Sequence, residues 1–115
     1  MDNRKNDRYY LNKIIGDLSF IVAHTEDISE EQLKKDEVLL DSVMFRLIQV
    51  SENSDRLTET FKAYHAAVPW RAVKGLRNRI VHEYGSVDPA VIYETVQNDI
   101  PALLRMLEED DGDRE

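Results

Sequence analysis

The 115-residue sequence contains no cysteine, which excludes a disulfide framework and any thiolate metal site and is compatible with a reducing compartment. Glycine and proline are scarce, at four and three residues, so a fold built from many tight β-turns is not expected. Long apolar runs are missing as well. The chain begins Met-Asp-Asn-Arg-Lys-Asn-Asp-Arg and its first apolar segment is broken by Asp17, a pattern that fits neither a signal peptide nor a membrane span. A soluble, cytoplasmic protein with no membrane association is the expectation. The length suits one domain with a single core, and a content of 42% apolar and 33% charged residues suits amphipathic helices.

The most informative absence is local. The chain carries a net charge of −8, yet no Asp or Glu occurs from Thr60 to His82, where Lys62, Arg71, Lys74, Arg77 and Arg79 contribute five positive charges and leave −13 on the remainder. An acidic protein with one acid-free basic segment binds nucleic acid poorly in general but can hold an anion at one place. Its affinity for any nucleic acid should be modest, salt-sensitive and confined to that segment.

Helical periodicity organises the rest. Leu11, Ile14, Ile15, Leu18, Ile21 and Val22 give a first helix over about Arg8–His24, with His24 expected as a cation near its C-terminal dipole end. Ser29-x-x-Gln32 is a capping-box pattern that starts a short helix or turn before Asp36. From Asp36 to Phe61 a 3–4 repeat of Leu40, Val43, Leu47, Val50, Ser54, Leu57 and Phe61 predicts a second long helix. Phe45 and Ile48 form a smaller patch on its other side, with Glu52 beside it, so this helix is central or meets another subunit. Lys62–Val68 reads as a connection, with His65 a loop residue, and Pro69 suits the first position of the next helix. Asp88-Pro89 restarts the chain as N-cap and N1, followed by a stripe of Ile92, Val96, Ile100, Leu103 and Leu107. Pro101 inside this helix predicts a kink or break near Asp99–Ile100. One domain over residues 1–108 and an acidic, unstructured tail over 109–115 complete the layout.

Trp70–Tyr84 departs from generic helical sequence. At 100° per residue Arg71, Lys74, Asn78 and His82 share one polar stripe, whereas Arg77 falls among Val73, Leu76 and Ile80 on the apolar side. A guanidinium there needs a carboxylate, a cleft or a subunit seam, because an unpaired buried charge is costly. Glu52 is the carboxylate set among apolar residues in the same way, and we expect it to orient a motif side chain within the chain or across a dimer. Tyr84, seven residues on, shares the face of Arg77 if the helix continues that far. Gly85 is a plausible stop.

Arg77-Asn78-x-x-x-His82-x-Tyr84 resembles the Arg-x-x-x-x-His-x-Tyr signature of HepT-like toxins of the HEPN superfamily. The likeness extends to Pro69-Trp70-Arg71, Gly75-Leu76-Arg77-Asn78-Arg79, Val81-His82-Glu83-Tyr84, Val87-Asp88, Glu94-Thr95-Val96, Asp99-Ile100-Pro101 and Leu103-Leu104. It covers roughly the C-terminal two thirds, and the first helix by type. The sequence departs at Val50-Ser51-Glu52-Asn53, where the family usually reads Ile-Gly-Glu-Ala. The resemblance implies an all-α, HEPN-like antiparallel up-down four-helix bundle with a short extra helix or a kinked last helix. It also implies a homodimeric ribonuclease toxin and a nucleotidyltransferase antitoxin that adenylylates the motif tyrosine, here Tyr84.

Metal-free RNA cleavage needs a base for the 2′-hydroxyl, an acid for the leaving oxygen and positive charge at the phosphorane. His82 is the candidate acid or base, Arg77 the phosphate clamp, and Asn78 a hydrogen-bonding partner of either. Arg71, Lys74 and Arg79 are candidate RNA-binding cations, and no metal or other cofactor is expected. Arg77 and His82, five residues apart, point about 140° from each other on an ideal helix. They converge only at a helix end or where two copies of the motif face each other, which favours a dimer. The alternative is a non-catalytic helical module that uses the same surface to bind a nucleotidyltransferase partner or a nucleotide. A metal enzyme is a distant third, with the three histidines scattered.

Overall fold

Leu11, Ile14, Leu18 and Ile21 recur every three or four residues and are fully buried along one side of α1 (Asp7–Thr25). The computed structural model describes residues 6–113, with side chains through Glu109. A complete capping box, Ser29 with Gln32, opens the short α2 (Glu30–Lys35) as expected. Asp36 then caps α3 (Glu37–Asp55) by accepting from Leu39 N–H.

The second long helix is shorter than its periodicity predicts. It ends at Asp55, and a separate α4 (Glu59–Tyr64) follows. Thr58 causes the break, because its hydroxyl accepts from Phe61 N–H as an N-cap. Asp7 reinforces it by accepting from both the backbone N–H and the hydroxyl of Thr58, at 2.9 and 2.8 Å. Leu57 and Phe61 remain buried, so the apolar stripe survives the break. That survival is why periodicity alone reads through it.

Two long-range contacts set the direction of α3 against α1. Asp7, at the start of α1, meets Thr58 just beyond the end of α3, and Asp17 meets Arg46 at 2.8 Å near the two midpoints, so the helices are antiparallel. The connection over residues 65–69 leads to α5 (Trp70–His82), with Pro69 as its N-cap, one residue earlier than expected. His65 lies in this connection as expected, as the C-cap of α4, but it is buried and packs on Phe61. The indole N–H of Trp70 lies 3.1 Å from His65 O and 3.3 Å from Lys62 O, which ties the start of α5 to the end of α4.

After α5 the chain makes a 3-10 turn, Tyr84–Ser86, and Asp88 caps α6 (Pro89–Glu94) with Pro89 at N1. A π-helical turn, Thr95–Asp99, joins α6 to α7 (Ile100–Asp113) without a break. Pro101 explains the turn. It has no N–H to offer, and the backbone widens so that Ile100 N–H reaches Thr95 O. Gln97 in the widened turn donates to Thr25 O at 2.6 Å and so caps the C-terminus of α1. Helical backbone reaches Asp113, into the acidic segment expected as a tail from residue 109; residues 114 and 115 lie outside the described residues.

The result is an all-α bundle of four principal helices, α1, α3, α5 and the α6–α7 helix, with α2 and α4 as short additions. α1 packs on α3 and α7, and α5 packs on α3. One core joins Leu11, Leu18, Leu47, Ile80, Ile92 and Leu107, all at most 3% exposed. Burying six aliphatic side chains of this size contributes roughly 1.5–3 kcal/mol each before conformational entropy is set against it. No helix among the described residues is long and apolar enough to cross a membrane.

Candidate active site

Helix α5 owes its position to Ile80, which is fully buried, and to Val73, Leu76 and Trp70, which are half-buried against the core. The same rotation turns Arg77 toward α3. Its Nε donates to Glu52 Oε2 at 3.0 Å, Nη2 lies 2.9 Å from the same oxygen, and Nη1 donates to Asn78 Oδ1 at 3.1 Å. The carboxylate expected for this out-of-place arginine is thus Glu52, in the same chain. With side chains 34% and 39% exposed, the pair sits at the surface edge of the bundle, where water still reaches it.

One turn away Lys74 Nζ meets Asp55 Oδ2 at 3.0 Å. Glu52-x-x-Asp55 on α3 therefore faces Lys74-x-x-Arg77 on α5 in antiparallel register, a two-rung ladder of opposite charges. Asp55 was legible only in this pairing. An acidic pair spaced by three, preceding a basic pair spaced by three on the next long helix, was the available signal.

The polar stripe of α5 splits. Arg71, Lys74 and Asn78 line an open groove of about 390 Å³ between α5, α3 and the end of α4, with Ser51 and Trp70 on its walls. His82, the last residue of α5, does not line it. His82 is exposed, and its side chain makes no hydrogen bond to another described residue. Arg79 lies elsewhere too, 3.7 Å from Glu83 on the outside of the helix. Val81, next to the buried Ile80, is 42% exposed.

The helix does not continue to Tyr84. Glu83 ends it, Ser86 N–H closes the following turn on Glu83 O at 2.7 Å, and Tyr84, itself 52% exposed, opens the 3-10 turn. Gly85 is not a left-handed cap, since no described residue has a positive φ. Lys62, Trp70 and Ser51 are site-lining residues that the sequence did not single out as such. They come from three different elements, and only the closure of α4 onto α5 brings them together.

Chemically, the arginine is pre-oriented. Of five guanidinium N–H donors, those on Nε and one on Nη1 are committed to Glu52 and Asn78, and Nη2 adjoins Glu52. The outer edge of the guanidinium is left for an anion. Among the described residues no three His, Cys, Asp or Glu side chains converge as a metal site.

The protein is thus a helical bundle that holds an arginine in place beside a groove lined by cations, with a histidine at the end of the same helix. Residues 14–109 match the Ribonuclease HepT-like family, and the chain belongs to that family. A protein of Caldanaerobacter subterraneus subsp. tengcongensis with a provisional RNase designation is 32% identical over 105 residues, covering 91% of this chain and 94% of that one. "Probable ribonuclease HepT" of Thermococcus cleftensis is 30% identical over 100 residues, covering 87% and 91%. No solved structure matches the chain.

Proposed function

We propose that the protein is a metal-independent endoribonuclease of a toxin–antitoxin pair, acting as a homodimer whose two Arg-x-x-x-x-His-x-Tyr motifs face one cleft. The observation that carries the reading is the constraint on Arg77. A cation fixed by Glu52 and Asn78, with its outer N–H groups free, is ready to receive a phosphate and to stabilise the negative charge that builds up during cleavage. The 2′-oxygen attacks the phosphorus as its proton passes to a base, the 5′-oxygen departs with a proton from an acid, and a cyclic phosphate remains. One His82 cannot serve both sites at once.

Exposed apolar residues support a dimer. Val38 and Phe45 on α3, 81% and 57% exposed, stand at seven-residue spacing with Glu52. Val81 follows Arg77 by one turn of α5, and Tyr84 stands just beyond the helix end; both are exposed. The Glu52–Arg77 pair thus lies at one end of a patch of exposed apolar residues from both helices that a second copy would cover, bringing a second His82 to the cleft. Tyr84 is an accessible phenol beside this seam. An adenylyl group added there by a nucleotidyltransferase antitoxin would place its phosphate near Arg77 and compete with RNA.

Cleavage of total cellular RNA in EDTA by the purified wild type, absent in His82→Ala of equal thermal stability, is the expected result. No cleavage by wild-type protein shown by mass to carry no adduct on Tyr84 would replace the enzyme with a partner-binding helical module.

A further inference from the structure

Gly75 occupies the middle of α5, where glycine costs about 1 kcal/mol relative to alanine. Packing does not require it. A Cβ at Gly75 would meet nothing within 4 Å, and the backbone φ is not positive. The open space is the groove itself, for Gly75 lines it between Arg71, Lys74 and Asn78.

The walls have a consistent chemistry. Trp70 is half-buried and held by its indole N–H on the carbonyls of Lys62 and His65, so its orientation toward the groove is fixed. Arg71 makes no ion pair with another described residue; Lys62, 3.6 Å from the exposed Glu59, adds a second cation at the α4 side, and Lys74 is paired with Asp55 on the α3 wall. Ser51, 2% exposed, lies on the α3 wall with a hydroxyl that makes no hydrogen bond to another described residue, whereas the neighbouring Ser54 hydroxyl is committed to Val50 O at 2.7 Å. Asn78 has spent its carbonyl oxygen on Arg77 and keeps its amide N–H groups. An aromatic wall, an uncommitted arginine, a free hydroxyl and a free amide, over a stretch of helix without side chain, match one nucleotide. The volume of about 390 Å³ falls within the range of about 300–1,000 Å³ seen for small-ligand sites.

We infer that this groove is a subsite for one nucleotide of single-stranded RNA, adjoining the phosphate held at Arg77 through their shared neighbour Asn78. The base stacks on Trp70, its edge is read by Ser51 and Asn78, its phosphate is met by Arg71 and Lys62, and Gly75 gives the strand close passage over α5. The inference rests on the ribonuclease reading for the identity of the strand, but it concerns binding and not cleavage.

Trp70 is the only tryptophan in the sequence, so its fluorescence reports the subsite alone. The test titrates the full chain carrying His82→Ala, which keeps the RNA intact, with a short single-stranded oligoribonucleotide at low salt. Saturable quenching is expected. Adding Gly75→Leu should weaken binding at least tenfold while the melting temperature holds or rises, since leucine is the better helix former and has room. Adding Arg71→Ala should weaken it several-fold and flatten its salt dependence. No saturable quenching, or equal quenching in the Gly75→Leu variant, overturns the subsite. So does a free mononucleotide that binds as tightly as the strand. Cleavage is scored separately in the wild-type chain: quenching without cleavage upholds the subsite and sinks the ribonuclease reading, and cleavage without quenching does the reverse.

Discussion

Replacing Glu52 by Gln separates a positioning role from a structural one. The pair is short, at 2.9–3.0 Å, but both side chains are more than a third exposed, so water screens it and the desolvation it suffers is partial. A pair of this exposure is worth about 0–1 kcal/mol, and glutamine retains an acceptor for one Arg77 N–H. We therefore expect a loss below about 1 kcal/mol, or roughly 4 °C in melting temperature for a domain of this size. The effect on cleavage should be larger and of mixed sign. Losing a negative charge beside the phosphate site strengthens ground-state RNA binding, so KM falls. Losing the anchor lets the guanidinium rotate away from the geometry needed as charge develops, so kcat falls. Outright removal of a charge-stabilising donor in an enzyme costs about 100- to 1000-fold; with the arginine retained but loosened, about tenfold is expected. Steady-state kinetics on a fluorogenic oligoribonucleotide, paired with calorimetric melting, measures both. An unchanged kcat would refute the positioning argument, and a melting temperature lowered by more than about 10 °C would make Glu52 a structural residue.

Three further outcomes are expected. Thr58→Ala removes the N-cap of α4 and one of its two bonds to Asp7, and should lower stability by about 1–2 kcal/mol in chemical denaturation; a change near zero would mean that α4 is held by Phe61 burial alone. Phe45→Asp alters a residue 57% exposed in the single chain and should leave the core intact; sedimentation velocity should show dissociation to monomer with cleavage lost in parallel, and a persistent dimer would exclude this face of α3 as the seam. Gly75→Ala should stabilise α5 by about 0.5–1 kcal/mol, read as a raised denaturation midpoint, because the added methyl enters open space; a lowered midpoint would show that the backbone at Gly75 is not regular helix.

How much of this was legible beforehand divides along physical lines. Buried stripes depend on 3.6-residue periodicity, which a sequence displays directly, so Leu11 to Ile21, Val43 to Phe61 and Ile92 to Leu107 fall where expected. Local capping chemistry was equally readable in Ser29 with Gln32 and in Asp88 with Pro89. The break at Asp55 was not, because its cause is split between Thr58, a local cap, and Asp7, which lies 51 residues earlier in the chain. Pro101 marked the right place but not the form of the response. Proline removes a donor, and whether the helix kinks, stops or widens depends on what else can satisfy its carbonyls. Here Gln97 has a useful partner in Thr25 O, so widening serves the packing against α1.

At the site, the charge misplacement of Arg77 was a stronger signal than the motif's spacing. Spacing names candidate residues, but an arginine on an apolar face demands a partner; Glu52, singled out by its own place beside Phe45 and Ile48, meets that demand in the same chain. The demand stops at that carboxylate. Once Glu52 neutralises Arg77, nothing in a single chain draws His82 toward it, and the helix ends with the two side chains on different faces. Both rungs of the ladder, Glu52–Arg77 and Asp55–Lys74, are satisfied within one copy, so charge pairing there does not drive association. What remains to drive it is apolar: Val38, Phe45, Val81 and Tyr84, the patch that the paired rung ends. A dimer built this way is held by hydrophobic burial and aimed by a salt bridge already made, which predicts self-association that persists in high salt while RNA binding at Arg71 and Arg77 weakens. Sedimentation and oligonucleotide binding measured over the same salt series would separate the two, and loss of the dimer at high salt would place polar contacts, not this apolar patch, at the seam.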